Sequence, residues 1–214
     1  LISFATVDLS AVYFDVLKDR LYTAAPRSPA RRSAQTALDR LARALARLAA
    51  PLLSFTCEEV WGCLPRLPGE GPSVHLERFP APAELAAGLG RRRQRLANWD
   101  RLLEVRPTVL KALEQARQEK FIGNPLEARL VLGADGELRR LLADYHRDLP
   151  MLFIVSQVDL AAGAGPELEV EVERARGTKC ERCWKYATDV GADARRPTVC
   201  GPCAGVVDEI ERGS

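Results

Sequence analysis

The chain has 214 residues, of which 47% are hydrophobic, and its 31 basic residues nearly balance 29 acidic ones to leave a net charge of +2. This length and apolar content predict a globular protein with one large domain or two modest ones around a buried core. The sequence excludes a membrane span, because no run of about 18 apolar residues occurs, and it shows no secretory leader, so we expect a cytoplasmic protein.

The N-terminal half has the spacing of amphipathic helices. Asp8 is a candidate N-cap for a helix over 8–22, and Ser28 followed by Pro29 begins a second helix. In the second helix apolar residues recur every three or four positions from 34 to 52, which predicts one buried stripe. Arginines occupy its remaining faces and are expected to be solvated: Arg31, Arg32, Arg40, Arg43 and Arg47.

A third helix is predicted from Thr56, which forms a capping-box pattern with Glu59. This helix is expected to direct two apolar side chains inward, Val60 and Trp61. Two further helices are predicted over 85–105 and 107–120, because Pro107 marks a kink or a boundary between them.

After Gly123 the pattern changes to that of a small mixed layer. Three runs are strand-like, and the third alternates apolar with acidic residues: 128–132, 152–160 and 168–172. A helix is predicted over 138–145, and residues 161–166 are predicted to form a hairpin loop, because a strand-like run follows them directly. The predicted fold class is therefore mainly α: a helical bundle, a small α+β subdomain and a cysteine-rich tail.

Four cysteines near the C-terminus carry the strongest signal. Cys180 and Cys183 form one C-x-x-C pair, Cys200 and Cys203 form a second, and sixteen residues separate the pairs. This is the spacing of a closed tetrahedral zinc site, in which each pair turns through a tight knuckle to present both sulfurs to one ion. A redox dithiol and structural disulfides are the alternatives, although redox motifs occur singly and disulfides need an oxidising compartment.

We predict no catalytic residues in this chain. His75 and His146 are its two histidines, and neither stands beside a nucleophile or an acidic pair. A four-cysteine site also leaves no open coordination position for a reacting water. The remaining cysteines, Cys57 and Cys63, are expected to be small buried hydrophobic residues.

The cysteine-rich segment is also basic and aromatic, with six basic residues against three acidic ones between 176 and 203. Basic side chains position a phosphate backbone, and an aromatic ring beside them stacks on an unpaired base. The candidate RNA-binding residues are Lys179, Arg182, Trp184, Lys185, Arg195 and Arg196. Two alternatives stay open: part of the basic excess offsets the charge of the thiolates, and Trp184 packs in the local core instead of stacking.

Strings along nearly the whole chain resemble the C-terminal portion of bacterial isoleucyl-tRNA synthetases. They are VDLSAVYFDVLKDRLY (7–22), RRSAQTAL (31–38), LAAPLLSFTCEEVW (48–61), SVHLERFP (73–80), VRPTVLKALEQAR (105–117), and KCERCWKYATDVG with CGPC (179–203). The surroundings of KDRLY and EEVW are shared more weakly with other class I synthetases of hydrophobic amino acids. CERCW and CGPC select the isoleucine enzymes, and they also resemble the zinc finger of formamidopyrimidine-DNA glycosylases.

The resemblance implies three parts: a helical anticodon-binding domain (1–105), an α+β junction subdomain (106–172) and a zinc-binding tail (173–214). It implies one zinc ion per chain, held by the four cysteines, and it places Trp184 in an RNA-facing position, while Lys185 stands where a histidine is often found. The implied partners are isoleucine tRNA and the rest of a parent synthetase, which uses ATP. The sequence starts at Leu1 rather than methionine and lacks the HIGH and KMSKS signature loops of the parent's nucleotide-binding fold, so we expect a non-catalytic fragment. We also expect this fragment to be a monomer.

Two other functions stay open at this point. A zinc finger related to those of DNA-repair glycosylases predicts a module that grips duplex DNA, although the long helical part argues against it. A purely structural zinc tail, which packs back on the synthetase body, is the other alternative.

Overall fold

The structure is a computed structural model that describes residues 1–87, 93–163, 165 and 167–213. The chain forms two compact units, which we call the helical unit (residues 27–93) and the main unit (residues 1–26 and 94–214). None of the helices in the described ranges is both long and apolar enough to cross a membrane. The division into functional parts at residues 105 and 172 stays a prediction.

The architecture is mainly helical, with a small sheet and a C-terminal cysteine cluster, as predicted. In chain order the elements are a π-helical segment (Phe4–Phe14), α1 (Asp15–Tyr22), α2 (Pro29–Ala49), α3 (Ser54–Cys63), a 3₁₀ turn (Val74–Leu76), α4 (Pro82–Leu85), α5 (Arg93–Gln118), a second 3₁₀ turn (Pro125–Glu127), β1 (Ala128–Ala134), α6 (Gly136–Asp144), α7 (Leu149–Phe153), β2 (Gln157–Ala162), β3 (Glu169–Arg174), β4 (Thr178–Lys179), β5 (Tyr186–Ala187) and α8 (Gly201–Gly213).

The N-terminal helix is longer than its sequence pattern indicated. The π-helical segment runs directly into α1, so Asp8 lies inside a helical run and the N-cap assigned to it is wrong. Leu9, Val16 and Leu17 are nevertheless buried, because their spacing keeps them on one side.

In the helical unit, α2 begins as predicted, with the Ser28 hydroxyl accepting from the Arg31 amide at 3.3 Å and Pro29 in the first turn. The predicted stripe is confirmed at Ala34, which is buried, but it is wrong at Leu48 and Leu52, which are exposed. Small residues are buried near the end of the helix: Ala44, Ala46, Ala49 and Ala50. The last three pack in one cluster with Trp61 of α3 and Val74 of the loop after α3.

Arg43, which we predicted to be solvated, is a buried polar centre of the helical unit. Its side chain is only 8% exposed, and its guanidinium carbon lies 5.9 Å from the centroid of the Trp61 ring. Its guanidinium group donates to Asp39 at 2.9 Å, to Glu70 at 2.6 Å and to the Pro65 carbonyl oxygen at 2.5 Å. This one cation therefore ties α2 to the loop that follows α3.

The third helix begins at Ser54, two residues before Thr56, and its first turn has no side-chain cap, so the predicted capping box is wrong. Trp61 is buried as predicted, but Val60 is exposed. Cys57 is buried, which also raises the pKa of its thiol, whereas Cys63 is exposed against expectation.

Pro107 lies inside one continuous helix, α5, and not at a boundary between two. Proline has no amide hydrogen, so the hydrogen bond to the Leu103 carbonyl oxygen, four residues earlier, is missing. Both residues lie on the exposed side of α5, where water can hydrogen-bond that carbonyl. The opposite side of α5 enters the core through Leu102, Val109 and Leu113. The predicted helix over 85–105 is shorter than expected: α4 ends at Leu85, α5 begins at Arg93, and residues 88–92 lie outside the described residues.

The three-stranded sheet of the main unit has the order β2-β1-β3, with β2 parallel and β3 antiparallel to the central strand, and β4 pairs with β5 in a separate antiparallel hairpin. The predicted strand over 152–160 begins only at Gln157, because its first residues form the end of α7. Residues 161–166 do not form a hairpin, since β2 and β3 lie on opposite sides of β1; residues 164 and 166 are outside the described part. One face of β1 enters the core through Ala128, Leu130 and Leu132.

Replacing Arg43 with methionine should destabilise the helical unit. The change leaves Glu70 largely buried without its cation, and breaking a buried ion pair costs about 3 kcal/mol. The matched control is Arg40→Met at an exposed position of the same helix, which we expect to change the free energy of unfolding by at most about 0.5 kcal/mol. Urea unfolding followed by circular dichroism measures both; equal stabilities would contradict the role assigned to Arg43.

Candidate metal centre and the surface around it

The four C-terminal cysteines converge on one point. All four Sγ atoms lie within 4.8 Å of one another, and those of Cys183 and Cys200 are 3.8 Å apart. Sulfurs about 2.3 Å from a tetrahedral zinc ion are about 3.8 Å apart, so the donor set fits this ion in both chemistry and spacing. None of the four forms a disulfide, which removes that alternative for the structure.

Each knuckle is built by a different kind of local structure. Cys180 and Cys183 lie in the connection between β4 and β5, where the Trp184 amide donates to the Cys180 carbonyl oxygen at 2.9 Å. Trp184 follows this turn with φ +64°. Cys200 precedes α8 and Cys203 lies in its first turn, so the second pair meets the positive end of a helix dipole.

Gly177 allows the chain to enter the first knuckle. Its φ is +91°, and a Cβ atom there would collide with the carbonyl group of Ala187 on the paired strand. The β4–β5 hairpin therefore closes only with glycine at this position.

The cysteines make up most of the core of their own segment. Cys180, Cys200 and Cys203 are buried, and the described apolar residues packed against them are small: Ala187, Val190 and Val199. So little apolar surface cannot by itself offset the entropy of ordering the segment. The fold of the tail therefore depends on the cluster.

The surroundings of the four cysteines favour ionisation of one thiol and oppose ionisation of others. Burial opposes ionisation of the Cys180 thiol, but the amides of Cys183, Cys200 and Arg182 donate to its sulfur and lower its pKa to about 6. Burial raises the pKa of Cys200 to about 11 and also raises that of Cys183. Because one thiolate disfavours the next, full ionisation requires a cation at the centre.

The six predicted RNA-binding residues fall into two groups. Four are engaged within the protein. Arg182 donates to the Thr23 carbonyl oxygen at 2.6 Å and Lys185 pairs with Asp19 at 2.7 Å; Arg195 and Arg196 pair with carboxylates of the tail, Asp193, Asp208 and Glu211. The other two, Lys179 and Trp184, form an exposed pair, with the ammonium nitrogen 5.8 Å from the ring centroid.

A groove of about 410 Å³ lies beside the first knuckle in the main unit. Its lining is mostly apolar and includes Met151 and Ile154, together with two exposed aromatic residues, Tyr22 (75% exposed) and Trp184 (62% exposed). Ile154, like Trp184, has positive φ, which costs about 1–3 kcal/mol for a non-glycine residue and is typical of functional sites. Sequence reasoning missed Tyr22, because nothing local to α1 indicates that the tail packs beside it.

Comparison with known families separates the chain into two matched regions. Residues 1–132 match the family described as the anticodon-binding domain of tRNA ligase, and residues 177–205 match a zinc finger found in FPG and IleRS. Together with the four-cysteine cluster, the second match indicates zinc binding.

Curated relatives are similar over almost the entire chain. An isoleucine–tRNA ligase of Symbiobacterium thermophilum is 47% identical over 96% of the chain, and one of Syntrophotalea carbinolica is 48% identical over 97%. A third, of Carboxydothermus hydrogenoformans, is 46% identical over 98%. Each alignment covers 23% of the relative, so the chain spans about a quarter of the length of these proteins.

Removing the metal should unfold the tail and leave the rest of the main unit folded. Structural zinc sites contribute apparent binding free energies of about 10–16 kcal/mol, far more than the small apolar cluster supplies. After chelation we expect residues 177–213 to lose protection from hydrogen exchange while β1 and α5 keep theirs. Cys183→Ser should behave likewise, and Cys63→Ser is the thiol control; a protected tail without metal would contradict this prediction.

Proposed function

Because the chain belongs to the family of anticodon-binding domains of tRNA ligases, we propose that it is the tRNA-recognition part of an isoleucine–tRNA ligase. The proposal rests on one combination: an anticodon-binding match over residues 1–132 and a four-cysteine zinc-finger match in the same chain. We further propose one zinc ion per chain at Cys180, Cys183, Cys200 and Cys203.

We propose that the chain divides by function into a helical anticodon-binding part (1–105), a junction (106–172) and the zinc-binding tail (173–214). Charging of isoleucine tRNA with ATP belongs, in this proposal, to the parent ligase, and this chain contributes affinity and orientation of the tRNA. The relatives named above support this division of labour, since the chain aligns with about a quarter of each of them.

The exposed Lys179–Trp184 pair is the part of the tail best suited to unpaired RNA. An indole ring that is 62% exposed offers a stacking face, and the cation beside it favours a neighbouring phosphate. Tyr22, on the same groove, supplies a second aromatic surface. We therefore propose Lys179, Trp184 and Tyr22 as RNA contacts, with Arg195 as a further exposed basic residue whose charge is shared with Asp193.

Titration of labelled isoleucine tRNA with the 214-residue chain tests the proposed function. Phosphate contacts release counterions, so we expect affinity to fall roughly tenfold or more between about 50 and 200 mM salt. A duplex DNA of similar length is the competitor. An affinity for tRNA that does not change with salt concentration would contradict the proposal. A preference for the duplex DNA would also contradict it and would favour a DNA-binding zinc finger.

Trp184→Ala should weaken tRNA binding without unfolding the chain. Loss of one base–aromatic stack costs about 1–3 kcal/mol, or roughly 5- to 150-fold in affinity. The ring is mostly exposed, so the unfolding midpoint should not move, and Trp184→Phe should retain most of the affinity. A drop in stability with unchanged affinity would show that Trp184 packs instead of stacking.

A further inference from the structure

We propose that Arg182 and Lys185 form a latch that holds the metal knuckle against the C-terminal turn of α1, and that metal binding in the tail and ordering of this turn are thereby coupled. The sequence predicted both residues as RNA ligands. Both side chains are partly buried and have partners within the main unit. The inference concerns the fold of the chain and does not depend on tRNA binding.

Arg182 joins the metal centre to the end of a helix. Its Nη1 atom lies 2.6 Å from the carbonyl oxygen of Thr23 and 3.6 Å from the Sγ atom of Cys203. Thr23 is the C-cap of α1, where carbonyl groups have no partner inside the helix and the helix dipole favours a cation. One guanidinium group therefore serves both a metal-ligating sulfur and an open helix end.

Lys185 makes the second contact of the latch. Its ammonium group lies 2.7 Å from the Asp19 carboxylate, with side chains only 28% and 31% exposed, so this pair is better shielded from water than a surface ion pair. Asp19 is also contacted from the end of its own helix, because the Thr23 hydroxyl shares its proton between the Asp19 carbonyl oxygen at 2.7 Å and the carboxylate at 2.9 Å. The Lys185 carbonyl oxygen accepts from the Cys180 amide at 2.9 Å, which fixes Lys185 to the knuckle.

This geometry couples metal binding in the tail to ordering of the C-terminal turn of α1, and the coupling acts in both directions. Arg182 and Lys185 reach Thr23 and Asp19 only when the first knuckle has its turn conformation, and that conformation depends on the four sulfurs sharing an ion. By thermodynamic linkage, the factor by which metal binding favours these contacts equals the factor by which the contacts favour metal binding. A change in α1, about 160 positions earlier in the chain, should therefore alter metal retention.

The first test changes a residue of α1 and measures how tightly the tail retains zinc. Asp19→Asn removes the anchor of Lys185, and we expect zinc to be lost to a chromophoric chelator at least several-fold more readily. Asp15→Asn is the matched control, since Asp15 lies on the same helix and pairs with Lys18. Equal zinc affinity for the two variants would overturn the proposal.

The second test changes a residue of the tail and measures hydrogen exchange at the end of α1. With zinc bound, Lys185→Asp should speed hydrogen exchange at residues 19–23 about tenfold, and the charge-swapped pair Asp19→Lys with Lys185→Asp should restore much of the protection. Arg195→Ala, which removes a cation with partners in the tail, should leave α1 unchanged. Unchanged exchange of α1 in the Lys185 variant, or no rescue by the swap, would overturn the latch.

Arg182→Ala separates the latch from an RNA contact. A lost phosphate contact lowers the slope of log affinity against log salt by about one, whereas a lost latch leaves that slope unchanged and speeds exchange at α1. A reduced salt slope together with unchanged hydrogen exchange at α1 would show that Arg182 contacts RNA phosphate and does not form the latch. If tRNA does not bind at all, the proposed function fails while the exchange measurement still decides the latch.

Discussion

Convergence of four thiols on one point is the constraint on which the C-terminal part of this protein depends. From residue 177 to 213, the tail consists of the β4–β5 hairpin, α8 and a small apolar cluster around the cysteines, too little buried surface to fold by hydrophobic association. In the proposed zinc-bound state, the shared cation would supply the missing free energy and determine the conformation of the first knuckle. The exposed Lys179–Trp184 pair and the inward-directed Arg182 and Lys185 are all consequences of that turn.

Basic residues in this chain divide into those that face solvent and those that hold the fold together. Arg43, Arg182, Lys185 and Arg196 each meet a carboxylate or a carbonyl oxygen inside their own unit. Basic residues outnumber acidic ones by three between 176 and 203, but much of that charge is compensated, in part by Asp208 and Glu211 of α8. A tRNA-binding surface built on what remains relies on aromatic stacking as much as on phosphate contacts.

Local signals in the sequence were most reliable where a few neighbouring residues decide the outcome. Ser28 and Pro29 predicted the start of α2, because capping involves only the first helical turn. Pro107 lies inside α5 and not at a helix boundary, since the effect of a proline depends on whether the carbonyl group left without a donor faces water or protein. The run over 152–160 was assigned to a strand because a short apolar segment has no distinguishing period, and packing of Leu152 and Phe153 in the core decided for a helix.

The family was recognised from strings of residues, the cluster of four cysteines from their spacing, and the mainly helical class from apolar periodicity, because each of these signals lies within short stretches of chain. Tertiary structure decided that Arg43 is buried, that β1 lies between β2 and β3, and that Tyr22 shares a groove with Trp184. It also decided that Arg182 and Lys185 close the end of α1. Each of these outcomes joins residues far apart in the chain, and only the packing of whole elements brings such partners within hydrogen-bonding distance.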